Sequence, residues 1–240
     1  MGSYHSSLLS FSYHTMRIKE IKQHILTGLE PFATANGFKI YKGKFCLSRK
    51  DNNLETGVFF TYNTWGFEVQ ILPSVYVDFK DIRAICERCG FHLNYTAFIN
   101  LRLFEKINRV GFNPDLRWQM QCANEDRFII NEDETDIDTV IDKISSLMPL
   151  ALDFISQTAD IVLIDRLFNT IPIERYSPYC SGLDTHCIIG LIAAKLSSNM
   201  EYDKLRKMYE RIVAKEDFRD DMKASFAQIV KCLDRYETDR

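Results

Sequence analysis

Long hydrophobic runs are missing from this 240-residue chain. The nearest approach, LMPLALDFISQTADIVLI, is interrupted by Pro149, Asp153, Gln157 and Asp160. It falls short of the roughly 20 apolar residues that a membrane-spanning helix needs, so no membrane role is expected. The opening MGSYHSSLLSFSYHT has neither a basic start nor a sustained apolar stretch and does not read as a secretory leader. Charge of one sign is also lacking: a net of −3 sets up no global field that would draw in nucleic acid. Histidine is scarce at five, and His5 and His14 lie in the opening fifteen residues. There is no glycine-rich phosphate loop, no dinucleotide fingerprint, no Gly-x-Ser-x-Gly and no His-Glu-x-x-His. These absences remove the motif-based grounds for nucleotide chemistry, serine hydrolysis and zinc proteolysis. They leave open a site whose acids meet only in the fold.

Seven cysteines are present, and the count is odd. With no leader in view, this pattern predicts free thiols in a reducing, cytoplasmic setting. Cys86-Glu87-Arg88-Cys89 has redox spacing, but it closes a short predicted helix just before Gly90. The helix end there has the wrong sign to favour a thiolate, so an inert, packed pair is expected. SPYCSGLDTHC brings Cys180, Asp184, His186 and Cys187 close together in sequence. On a helix, neighbours such as His186 and Cys187 point about 100° apart, and no second Cys/His pair completes a zinc pattern. Asp184 is therefore read as a helix cap and Cys187 as the start of an apolar face. The acidic run NEDETDID, 131–138, lacks the glycine and the distal Glu of a calcium loop. It reads better as a helix start at Thr135 and Asp138, with acids at the positive helix end. No metal and no cofactor are expected.

What is present is a change of beat. Residues 1–15 read as a disordered lead, either an addition or an upstream start before Met16. From Met16, Ile18, Ile21, Ile25, Leu29 and Phe32 recur at helical spacing, with Pro31 predicted to kink the helix and Asn36-Gly37 to stop it. Short strands follow around Lys42-Gly43, then turn chemistry at Asp51–Asn53, then a strand over 56–63 and a turn at Thr64-Trp65-Gly66. A helix over 79–90, a strand over 95–104 and two short strands, LRWQMQC and RFIIN, complete this part. After Thr135 the period is helical throughout. Pro149 is expected to divide or sharply kink the first stretch, and three further helices are predicted at 184–197, 201–214 and 219–236. The fold class expected is α+β: a curved antiparallel sheet domain over 16–131 under an N-terminal helix, then an all-helical portion over 135–240. Charge follows the division. Residues 16–124 carry a net +5, 125–198 a net −8, and 199–240 balance.

The longest strand signal is WGFEVQILPSVYVDF. Phe67, Val69, Ile71, Val75, Val77 and Phe79 occupy odd positions, with Pro73 the one break. Strict alternation predicts one dry and one wetter face, and proline places 73 at an edge, a bulge or a bend. Glu68, Gln70 and Tyr76 then share wetter faces with Arg102 and Gln119 from neighbouring strands. Trp65, beside Gly66 in a turn, is the natural anchor for a protein partner, because an exposed Trp is favoured at interface centres.

The run GFKIYKGKFCLSRKDNNLETGVFFTYNTWGFEVQILPSVYVD resembles a small bacterial α+β domain family of unknown function. Gly37, Phe38 and Phe45 stand where that pattern leads into its strands, and 67–79 matches its long alternating strand. Some members of such families accompany secreted toxin systems as immunity proteins. The resemblance implies a binding module, carries over no catalytic position, and covers only the first half of this chain.

The expected function is thus non-enzymatic binding of a protein partner, with toxin neutralisation as its specific form. Trp65, Glu68, Gln70, Tyr76, Arg102 and Gln119 are the candidate partner-binding residues. One alternative is a hydrolase or transferase with groups such as Glu68, Asp78 and Arg102 assembled across the sheet. A further alternative, nucleic-acid binding on the basic half, is disfavoured by the scatter of its Lys and Arg, and no nucleic acid is expected.

Overall fold

The computed structural model describes residues 18–65, 68–111, 127–131, 137–170 and 177–236. Residues 1–15, Phe67, Trp118, Gln119, Cys122, the strand expected at LRWQMQC and the helix start at Thr135 lie outside them.

The first helical stretch is two helices, α1 (18–28) and α2 (Glu30–Ala35). The break comes at Leu29, and Pro31 sits in the first turn of α2, where its missing N–H removes no helical bond. Gly37 at φ 71° ends the element as expected. Then come β1 (Lys39–Tyr41), a 3₁₀ turn (Lys42–Lys44), β2 (Cys46–Asp51), β3 (Leu54–Trp65) and β4 (Glu68–Phe79). Asn52 takes a left-handed conformation in the β2–β3 turn, at φ 41°. β3 includes Thr64 and Trp65, which the sequence reading has in a turn.

Next are α3 (Lys80–Arg88), β5 (Ala97–Asn100), α4 (Leu101–Val110) and β6 (Phe128–Asn131). The sheet is antiparallel in the order β1-β2-β3-β4-β5, with β6 also on β4. β5 pairs with Ser74–Val77 and β6 with Glu68–Ile71, so among the described residues no strand pairs with the far edge of β4 at Leu72 and Pro73. This explains a proline inside a central strand. The Phe60 amide, opposite Pro73, donates to Phe45 on the β2 side, so the nitrogen of Pro73 points away from β3 into the gap between β5 and β6.

The odd-numbered side chains Val69, Ile71, Val75 and Val77 are at most 3% exposed, which establishes the expected dry face. α5 (Ile137–Gln157) packs on β3, β4 and β6, and Ile141 fits against Gly28 of α1. α5 continues through Pro149, so the expected division into two helices does not occur there. The chain turns instead after Gln157, and α6 (Ile161–Asn169) departs at 99°, started by the Asp160 side chain, which accepts from the Leu163 amide. Among the described residues no single helix is long and apolar enough to cross a membrane.

α7 (Leu183–Leu196), α8 (Tyr202–Lys215) and α9 (Asp220–Arg235) match the predicted hairpin helices closely. α7 is buried on every side from Thr185 to Ala194, the mark of a central helix rather than an amphipathic one. α3, α6, α8 and α9 pack around it. Tyr209 of α8 donates to Asn169 Oδ1 at 2.5 Å, and Gly190 gives this hydroxyl room, since a Cβ there would lie 2.2 Å from it. One continuous cluster of buried side chains joins the sheet to these helices.

Candidate interaction surface

The even-numbered side of β4 has a closed base and an open end. At the base Tyr76 and Asp78 are only 3% and 6% exposed, which corrects the expectation of a wet face there. The cause is the connection between α3 and β5, which folds back across the strand. Tyr95 places its ring 4.2 Å from that of Tyr76 and 5.1 Å from Phe59. Arg83 of α3 fastens this connection: it donates to Asp78 Oδ2 at 2.8 and 2.6 Å, and also to the carbonyls of Leu93 and Asn94. Thr96 accepts from the Phe79 amide at 2.9 Å.

Across the sheet, Glu55 accepts from Ser48 at 2.8 Å and from the Tyr76 hydroxyl at 3.1 Å, and pairs with Lys50 at 2.9 Å. Gly57 is the seat of the Tyr76 ring: a Cβ there would approach the ring to 2.7 Å and the Leu47 carbonyl to 2.2 Å. Burial pushes the Tyr76 hydroxyl far above its ordinary pKa. Partial burial works against ionised Glu55, but hydrogen bonds from Lys50, Ser48 and Tyr76 together outweigh it and hold the carboxyl below its usual range. Asp78 goes the other way, because burial exceeds the help of Arg83 and raises it. Every acid here is engaged by a neighbour, so the network serves to lock the base of the sheet.

The open end lies at the tip of the β3–β4 hairpin, where Thr61 to Trp65 are all exposed. Trp65 is 71% exposed and stands opposite a half-buried Glu68. Gln70, two residues in, is 6% exposed: Arg127 donates to its Oε1 at 2.6 Å and covers it, a second correction to the wet face. Arg102 is not on a strand. Asn100 accepts from the Arg102 and Leu103 amides and starts α4, so the apparent alternation through Leu101 and Leu103 belongs to a helix. Its guanidinium lies over the Phe128 ring at 5.3 Å and meets Glu105 at 3.1 Å.

Trp65 and Glu68 are therefore brought together at the hairpin end, while Tyr76 is separated from them and buried. Glu68, Asp78 and Arg102 do not converge. Glu68 and Asp78 are ten residues apart on one strand, roughly 30 Å by strand rise. Sequence reasoning missed Tyr62, which is 40% exposed at the same end with Lys22 Nζ 3.6 Å from its ring centroid.

The cysteine-bearing stretches lie elsewhere. Burial raises the Cys86 thiol to about 12. Burial and the adjoining Cys232 raise Cys89 to about 11, in keeping with inert thiols. His186 is 2% exposed between Phe168 and Tyr209, and burial lowers it to about 4. Asp184 is in the first turn of α7 rather than at its cap, which is Gly182, and its carboxylate accepts from the Thr185 amide. Among the described residues no group of three His, Cys, Asp or Glu side chains is placed to hold a metal ion. No protein-family model, curated protein or solved structure matches this chain.

Proposed function

We propose that this chain is a non-enzymatic protein-binding module of the cytoplasm, acting by surface complementarity through the end of the β3–β4 hairpin. Its specific form is the immunity type, in which a bound partner is a bacterial toxin held inactive. One observation carries the reading: Trp65 is 71% exposed at the end of a strand whose last five residues all face solvent. A large apolar side chain left in water on a rigid element is the kind of group that anchors interfaces. Glu68 beside it supplies a polar rim, and the locked base around Tyr76 and Glu55 keeps the hairpin stiff enough to present both.

The test is affinity. A partner recovered from the native cell with the wild-type chain is purified, and its dissociation constant is measured against wild type and Trp65→Ala. The expected loss is about 2 kcal/mol or more, roughly thirtyfold in Kd. Co-expression with the partner reads the immunity form, since wild type restores growth and Trp65→Ala does not. Equal affinity and equal rescue by both proteins would refute the reading.

A further inference from the structure

The open edge of β3 is a second feature of the hairpin, distinct from the Trp65 side. β2 pairs with β3 only from Leu54 to Phe59. At Phe45 the chain turns away in a left-handed conformation, φ 50°, out of the 3₁₀ turn Lys42–Lys44. The last contact across is the Phe60 amide donating to the Phe45 carbonyl at 3.1 Å. Alternation then directs the N–H and C=O of Tyr62 and Thr64 outward along the same edge. Among the described residues no strand meets them.

Natural sheets guard such edges with lysine, proline, bulges or short length. β1 and β5 follow that habit. β1 is three residues long and begins with Lys39. β5 is four residues, and its Phe98 amide is taken by the Tyr179 carbonyl. The stretch Thr61-Tyr62-Asn63-Thr64-Trp65 carries no charge and no proline, and Tyr, Thr and Trp favour strands. Beside it runs a groove of about 540 Å³, walled by Leu26, Ile18 and Tyr62 and rimmed by Lys19, Lys22 and Lys42. No acid lines it.

We infer that this edge takes an extended segment of a protein partner as an added antiparallel or parallel strand, with an acidic side chain of that segment received by the lysine rim. The inference rests on the binding-module reading and names how part of the partner is held. Main-chain pairing supplies affinity and the groove supplies selectivity, as in strand addition generally. Charge decides between occupants. A second copy of this chain would bring two lysine rims together, with no carboxylate from Thr61–Trp65 to meet them. The chain's own first fifteen residues contain no Asp or Glu.

The probes are fluorescein-labelled octapeptides of alternating Thr and Val with one central Glu, the same peptide with Lys at that position, and a Glu version N-methylated at alternate amides in each phase. Anisotropy titrations are run on wild type, Thr64→Pro, Lys22→Glu/Lys42→Glu and Trp65→Ala. The Glu peptide is expected to bind wild type at least about tenfold more tightly than the Lys peptide. One N-methylated phase binds and the other fails. Thr64→Pro, which removes an outward N–H, loses binding about tenfold or more, while Lys22→Glu/Lys42→Glu reverses the charge preference. Slowed hydrogen exchange at the Tyr62 and Thr64 amides in the complex provides a readout on unaltered protein. The proposal is overturned by failure of the Glu peptide to bind, by equal binding of Glu and Lys peptides, by tolerance of both N-methylated phases, or by concentration-dependent dimerisation through this edge without peptide. Binding of a single-stranded oligonucleotide that Thr64→Pro leaves unchanged would assign the lysines to a polyanion and likewise overturn it. Loss of peptide binding alongside intact, Trp65-dependent partner binding would reject the edge and retain the module.

Discussion

The two ends of the β3–β4 hairpin are built from the same alternating pattern and have opposite fates. At the base, Gly57 and Tyr76 lie opposite each other and are buried, roofed by Tyr95 and flanked by the Glu55 network. At the tip, Tyr62 and Trp65 extend the same strand and are 40% and 71% exposed. Alternation assigns each side chain to a face; it does not say whether anything covers that face. Cover comes from contacts distant in sequence, here the 91–96 connection fastened by Arg83. The base therefore stabilises, while the tip stays open to solvent.

The sharpest way to break this contrast is to truncate the base. Tyr76→Ala is expected to cost about 3–5 kcal/mol in chemical denaturation, since it removes a buried ring from a packed site. Tyr76→Phe, which deletes only the hydroxyl donated to Glu55, should cost about 1 kcal/mol. A loss below 1 kcal/mol for the alanine variant would mean the roof does not bear on stability.

Acid provides a comparison outside the hairpin. His186 is held near pKa 4 by burial, below an unfolded value of 6.5. The unfolded chain therefore binds the proton first, and stability present above pH 6.5 is lost as pH falls towards 4. The loss is about 3 kcal/mol, at roughly 1.4 kcal/mol per unit. His186→Leu should remove that step from the pH–stability curve, and an unchanged curve would contradict the assignment. Gly57→Ala should cost about 1–3 kcal/mol, because its Cβ meets the Tyr76 ring and the Leu47 carbonyl. The smallest effect is expected at the tip: Trp65→Ala should change stability by no more than about 0.5 kcal/mol in the same denaturation series, while partner affinity falls.

Much of the architecture was legible because the hydrophobic period is strong. The dry side of β4 and the three C-terminal helices follow directly from spacing. The misreadings have particular causes. Ala97, Ile99, Leu101 and Leu103 alternate across a boundary where strand becomes helix, and only Asn100, a residue suited to capping, marks the change. α5 holds through Pro149, while the bend falls at residues 158–160, where the Asp160 side chain caps α6. At the hairpin end, the adjacency of Trp65 and Glu68 is legible from their positions on either side of Gly66 in the sequence. The cover over Gln70 and Tyr76 is not legible, because neither Arg127 nor Tyr95 can be placed over them without the tertiary fold. The exposure of Tyr62 is not legible from its place in a strand, although the run from Thr61 to Trp65 is visibly uncharged.

The division between locked base and open tip is tested most directly by residue-resolved hydrogen exchange of β3 in the free protein. Val58, directed at β2 within the paired part of the strand, should exchange at least about a thousandfold more slowly than Tyr62 and Thr64, whose amides face the open edge. Comparable protection at all three positions would mean that the edge is covered in the isolated chain and would contradict the account.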